Sequence, residues 1–416
     1  MSMTKTPVII DTDPGVDDIV AILFALASPE IEILAIVVSF GNTDLESSFL
    51  NVLKAYQAVE THLEEYPDHE SRFPNFFGSV KTILAKGLDK PLEGPIMDAE
   101  YFHGRDGLCD ISARHPDLGP SNSTVGHPRI EVARGSGLDI SLSLIRSYPT
   151  LSITYVVLGP LTSFAALVRK DQALIASKVG RVVCMGGALD VPGNTSPVAE
   201  FNFYADPYAV KELLCPAKGE PPFPLERFLL LPLDITTPHE LPFPVYKEQV
   251  DQTFHGVAAP SVSGSKSPLT HFTSSFLEQT RDIMLRFGKD AMELHDIVAI
   301  WCAVSQPPSP PDLAPGWAVE RRIFDVERTG ELTRGMLVVD RREDENAFAL
   351  GANRAEAQAE LNEKAEGKVA PARVEVESFE QAVSVGTSKP PGVPCVVKTP
   401  GPDVLLQLLL ERVWAA

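Results

Sequence analysis

Four carboxylates fall within eight positions in Asp11-Thr12-Asp13-Pro14-Gly15-Val16-Asp17-Asp18. A short apolar run, Pro7-Val8-Ile9-Ile10, precedes them, and a longer one from Ile19 to Leu26 follows. The acids therefore lie on a turn between the carboxyl end of a strand and the start of a helix. Crowded like charges repel one another and raise their own pKa values unless a cation sits among them. Carboxylate oxygens are what hard divalent ions prefer, so the turn predicts a Ca²⁺ or Mg²⁺ site.

Helix capping accounts for one or two of these acids, because Asp17 and Asp18 sit favourably at a helix N-terminus. Four acids around Pro-Gly exceed what capping uses. EF-hand spacing fails, since Val16 and Ile22 stand where that loop needs Gly and Glu. A strand followed by Asp-x-Asp also opens haloacid-dehalogenase-type phosphatases. A Mg²⁺-dependent phosphatase-like hydrolase with Asp11 as nucleophile is therefore an alternative, although residues 14–18 fit it poorly.

The elements that must hold these acids alternate along the chain. Residues 31–38 are β-rich and end in Ser39-Phe40-Gly41-Asn42, and 152–158 end at Gly159-Pro160 before a helix over 162–169. Residues 181–185 end in Gly186-Gly187, and 228–231 form a further apolar strand. Asp206-Pro207 reads as an N-cap and first-turn proline opening a helix to Leu214. This rhythm predicts an α/β fold: one large domain over 1–416, with a mostly parallel central sheet flanked by helices and an open Rossmann-like core. Asp13, Asn42, Leu158 and Met185 all fall at strand carboxyl ends, where an open α/β sheet binds its ligand.

Three segments break the rhythm. Residues 60–75 are polar and proline-containing and read as a surface insertion. Residues 256–267 are a Ser/Gly-rich loop. Residues 341–394 are charged, then Pro/Gly-rich, and read as a second insertion with little apolar content. A last strand at 395–397 and an amphipathic helix over 403–414 follow.

With 416 residues, 44% of them hydrophobic, the chain can bury a large core. A net charge of −20 argues against a nucleic-acid partner. No apolar run approaches the roughly 18 residues a membrane helix needs, and no secretory signal opens the sequence. The five cysteines, Cys109, Cys184, Cys215, Cys302 and Cys395, are scattered and lack C-x-x-C spacing. They read as reduced thiols of a cytoplasmic protein with no structural zinc.

The acidic turn resembles the signature of the inosine-uridine-preferring nucleoside hydrolase family. Further motifs follow in that family's order: Gly41-Asn42, His103-Gly104-Arg105-Asp106-Gly107-Leu108, Leu158-Gly159-Pro160-Leu161-Thr162, Met185-Gly186-Gly187, Gly193-Asn194, Val198-Ala199-Glu200-Phe201-Asn202, Leu294-His295-Asp296, and Glu327 through Gly335. The likeness runs from about Val8 to Arg341 and resumes at the C-terminal helix.

The resemblance implies hydrolysis of the N-glycosidic bond of ribonucleosides to ribose and free base, with Ca²⁺ as cofactor. It assigns the metal to Asp13, Asp18, the Leu158 backbone carbonyl and Asp296. Asp13 would also be the base that activates the Ca²⁺-bound water, because Ca²⁺ is too weak a Lewis acid to make hydroxide unaided. Asp17, Asn42, Met185, Asn194, Glu200 and Asn202 would hold the ribose, and Asp11 would hydrogen-bond behind them. His295 reads either as a capping or packing residue or as the acid that protonates the leaving base. His103, in a Gly-flanked loop, reads as substrate-binding or as a structural histidine. Residues over the base are expected from 101–109 and 277–294. The family usually forms homodimers or homotetramers. A non-catalytic ribose- or nucleoside-binding protein is a further alternative, although every matched chemical position keeps its expected residue type.

Overall fold

The computed structural model describes residues 5–78, 80–119, 126–216, 219, 221–309, 312–341 and 392–416. The expected insertion at 341–394 lies almost wholly outside them. Residues 60–75, the other expected insertion, lie within the described set. They complete helix α2 (Leu45–Glu65), then form a 3-10 turn, Pro67–Arg72, before Phe73 and Asn75 return to the interior.

One nine-stranded sheet organises the chain. In chain order its first seven strands are β1 (Thr6–Thr12), β2 (Ile31–Val38), β3 (Thr82–Lys86), β4 (Ile130–Val132), β5 (Ile153–Val157), β6 (Val179–Met185) and β7 (Phe228–Leu231). Across the sheet they run β7-β6-β5-β1-β2-β3-β4, all parallel. Val393–Lys398 extends this sheet beside β7, and Ala318–Arg322 adds an antiparallel edge.

Period-two burial splits the core into two layers. Val8 and Ile10 of β1 face one hydrophobic cluster with helix α1 (Val16–Leu26) and helix His295–Ser305. Ile9 faces the other, with Phe164 and Leu167 of helix Thr162–Lys178 and Ala209 and Leu213 of helix Pro207–Leu214. Both faces are covered, which is why these strands are nearly continuous apolar runs rather than alternating ones.

The helix starting at Thr162 outlasts its expected end at Arg169 only after a break. Asp171 leaves helical geometry (φ −156°, ψ 72°) and its carboxylate accepts from Leu174 N at 3.1 Å, restarting the helix as a cap. Asp206 likewise accepts from Ala209 N at 3.0 Å ahead of Pro207. No helix among the described residues is long and apolar enough to cross a membrane.

The strand order matters most at β1. Its neighbours are β2 on one side and β5 on the other. The chain leaves β1 for a helix on one face and β5 for a helix on the opposite face. That divergence opens a crevice at the strand carboxyl ends, and the acidic turn sits in it.

Candidate active site

The turn after β1 folds around Asp18. Its Oδ2 accepts from Gly15 N at 3.0 Å and from Asn42 Nδ2 at 2.9 Å, and its Oδ1 accepts from the Thr12 hydroxyl at 2.5 Å. Asp18 therefore closes a capping box at the start of α1 while its carboxylate stays beside those of Asp17 and Asp296. Asp13 Oδ2 accepts from Asn42 N at 2.8 Å, whereas Asp13 Oδ1 is buried with no hydrogen-bond partner. Two glycines wall this carboxylate: a Cβ on Gly41 would lie 1.9 Å from Oδ2, and one on Gly159 would lie 2.6 Å from Oδ1. No larger residue fits at either position unless Asp13 moves.

Asp296, in the first turn of helix His295–Ser305, joins the group from far along the chain. Carboxylate oxygens of Asp17, Asp18 and Asp296 lie within 4.8 Å of one another. Burial, then repulsion from Asp18, pushes Asp13 and Asp296 well above the usual carboxylate range and raises Asp17 to about 7. Asp11 lies beneath the turn, fully buried, with Oδ2 accepting from the Tyr155 hydroxyl at 3.2 Å; burial lifts it to about 8. An unpartnered carboxylate oxygen beside three mutually repelling acids fits a hard divalent cation.

Above the acids opens a cavity of about 530 Å³. Asp17, Asn42, His103, Leu158, Met185, Asn194, Glu200, Asn202, His295 and Asp296 all line it, while Asp13 and Asp18 lie almost fully buried below. His103 Nδ1 accepts from Val16 N at 3.1 Å. Burial lowers its pKa to about 3, so the ring is neutral and Nε2 carries the hydrogen. Glu200 takes N–H groups from Gly187 (2.7 Å), Asn202 (2.7 Å) and Phe203 (3.1 Å), which fixes its carboxylate at the wall. Asn202 Nδ2 donates to the Leu158 carbonyl at 2.5 Å and contacts Met185 Sδ at 3.4 Å. Asn194 Oδ1 accepts from Phe201 N at 3.0 Å, which leaves its amide N–H groups for a ligand.

His295 sits between Thr236 Oγ1, 2.8 Å from Nδ1, and Glu293 Oε2, 3.3 Å from Nε2. Burial alone would lower its pKa, but the Glu293 carboxylate, helped by Asp17 and Glu200, outweighs burial and raises it.

With this geometry in view, the comparisons with known proteins are unambiguous. Residues 8–381 match the inosine-uridine preferring nucleoside hydrolase family. The chain belongs to that family. A pyrimidine-specific ribonucleoside hydrolase, RihA, of Salmonella arizonae is 30% identical over 345 residues, covering 80% of this chain and 88% of the relative. A solved plant nucleoside hydrolase superposes with a TM-score of 0.64 at 22% identity, covering 99% of this chain and 100% of its own. A purine-preferring ribonucleoside hydrolase from Gardnerella vaginalis gives 0.62 at 20% identity, covering 98% of each chain. At those identities the two structures speak to the fold alone.

For a nucleoside hydrolase the cavity's other wall is informative. Tyr101, Phe102, Met284, Phe287, Lys289, Met292 and Glu293 line it, all from the two regions expected to face the base. The sequence pointed to no role for Val191, Phe201, Leu233, Thr237 or the His295 partner Thr236, and it covered the other partner, Glu293, only within the region 277–294. Only the proximity of Glu293 to His295 in sequence offered a signal; the others are single residues without a pattern. The family match sets the phosphatase alternative aside, and Asp11 is fully buried with its carboxylate bonded to Tyr155.

Proposed function

We propose that this nucleoside hydrolase cleaves the N-glycosidic bond of ribonucleosides with Ca²⁺ held by Asp13, Asp18, Asp296 and the Leu158 carbonyl oxygen. The observation that supports it best is the cluster of Asp17, Asp18 and Asp296 carboxylates within 4.8 Å of one another, with the buried Asp13 carboxylate, one oxygen unpartnered, repelled by Asp18 and Asp17 beside it. Ca²⁺, when bound, would supply the positive charge that orients and acidifies the attacking water.

Asp13 removes the proton from that water. Its Oδ2 is pinned by Asn42 N, so Oδ1 faces the task in a fixed direction. Asp17, Asn42, Asn194, Glu200 and Asn202 grip the ribose. As the base departs, positive charge spreads over the ribose ring, and the acidic wall favours that state over the neutral nucleoside. Met185 packs against the sugar. His103 offers a neutral Nε2–H to the substrate. His295, whose pKa the Glu293 carboxylate raises, donates a proton to the leaving base.

Purified protein incubated with a panel of ribonucleosides, with and without a chelator, tests this by release of free base and reducing sugar. Metal-dependent release from at least one nucleoside is expected, and none from any would overturn it. Uridine is the first substrate to try, because the RihA relative is named as pyrimidine-specific. Action as a homodimer or homotetramer in the cytoplasm belongs to the same proposal. It rests on the family resemblance, and sedimentation reads the assembly.

A further inference from the structure

Outside the cavity, a second set of metal-ligating side chains joins two separate parts of the fold. His115 ends the short helix Ile111–Arg114, and Asp117 lies on the next turn, Pro116–Leu118. His271 and Glu278 lie two turns apart on helix Pro268–Arg286, so both project from one face. One nitrogen of His115, one of His271 and one oxygen of Asp117 lie within 4.8 Å of one another. Both imidazoles are buried, whereas Asp117 is exposed and gives an ion a way in.

Surrounding groups already fix the rings. Glu278 Oε1 lies 2.7 Å from His115 Nε2, and Ser261 Oγ lies 2.9 Å from His271 Nδ1. Asp117 Oδ2 lies 2.9 Å from the other nitrogen of His271. Glu278 is itself anchored, by Ser261 N at 2.8 Å and Arg114 Nη1 at 2.5 Å. A histidine that binds a metal through one nitrogen is typically oriented through the other by a carboxylate or similar acceptor. Arg114 pairs with Glu278, which leaves the Asp117 carboxylate, 2.9 Å from His271 Nε2, as the anionic member of the trio.

We propose that His115, Asp117 and His271 form a second metal site, separate from the acidic cluster, that takes a first-row divalent ion such as Zn²⁺. Two imidazoles and one carboxylate suit zinc, whereas the all-oxygen cluster suits calcium. Cysteine spacing had excluded a zinc site built from thiolates, and this one uses no cysteine. An ion here would tie the segment that follows Tyr101 and His103 to the helix that presents Met284 to the cavity. It would thereby stiffen the wall expected to face the base.

The full-length protein, stripped of transition metals and saturated with Ca²⁺, is titrated with Zn²⁺ by calorimetry and with Co²⁺ by visible absorption. One Zn²⁺ per chain is expected, with Co²⁺ bands typical of nitrogen and oxygen ligands. Asp117→Asn and His271→Gln should each weaken zinc at least tenfold and abolish the Co²⁺ bands. Nucleoside hydrolysis without zinc should stay unchanged in both. Failure of the unaltered chain to bind Zn²⁺ beside saturating Ca²⁺, or undiminished binding in both variants, overturns the proposal. Should His271→Gln fail to fold, the exposed Asp117→Asn variant decides it alone.

Discussion

Asp11 and Asp13 are both buried carboxylates two positions apart, yet their surroundings separate them. Each keeps one buried oxygen without a partner, but Asp13 is held by Asn42 N and repelled by Asp18 and Asp17, whereas Asp11 is bonded to Tyr155 beneath the turn with no such acid beside it. Asp13→Ala should keep the fold, read by circular dichroism, and lower kcat by about 10²–10⁴-fold, the usual span for a lost general base. A near-normal kcat would remove Asp13 from that role. Asp11, raised to about 8, holds a proton at neutral pH, so Asp11→Asn exchanges one neutral group for another. Its kcat should stay within a few-fold of the unaltered chain, the opposite of what a nucleophile would show. The sign of the pH effect follows from the raised value. The folded state keeps this proton between about 4 and 8 while the unfolded chain releases it, so Asp11's contribution is complete at low pH and is lost as pH rises through 8. In Asp11→Asn, melting curves taken in chelator should lose that part of their decline with rising pH.

Strands and turns act here as rulers that set side-chain positions. Gly41 follows β2 with φ +154°, and a methyl there would enter the Asp13 carboxylate, 1.9 Å from Oδ2. Gly41→Ala should therefore cut kcat at least tenfold by displacing Asp13 and straining its own backbone, while the two packed layers on either side of the sheet stay intact. Phe164 is the reverse case. It is fully buried on the far face of the sheet, in the layer with Tyr155 and Phe223, and lines no part of the cavity. Phe164→Ala should cost about 3–5 kcal/mol of stability in denaturant titration. The fraction that remains folded should keep an ordinary KM. Most of these elements were legible locally. The apolar runs at 31–38 and 228–231 coincide with β2 and β7, because buried parallel strands are continuous apolar stretches. The short strand β4, Ile130–Val132, was not, since three residues carry no readable period.

Across the molecule, the acids at the crevice are coupled through one charge. Folding them together without a cation costs stability, so chelation should lower Tm and added Ca²⁺ should restore it in proportion to its binding. Asp17, near 7 in the metal-free chain, must lose its proton when a cation arrives. Calorimetry in buffers of different ionisation enthalpy should then record proton release, and apparent Ca²⁺ affinity should rise as pH climbs through 7. Affinity that is flat with pH between 6 and 8 would contradict this coupling.

By itself the sequence determined what is encoded within a few residues of each position. It specified a strand, an acidic turn and a helix at 7–26, glycines where strands hand over to loops, a helix opened by Asp206-Pro207, and a family signature. Those features are local because periodicity and turn chemistry act between near neighbours. Only the tertiary structure decided that β1 lies between β2 and β5, which brings Asn42 and Gly159 against Asp13 and opens the crevice. It alone brought Asp296 beside Asp17 and Asp18, and set Thr236 and Glu293 on either side of His295. Strand order and cavity walls depend on which distant surfaces pack together, and single residues drawn from many elements leave no period in the chain to announce them.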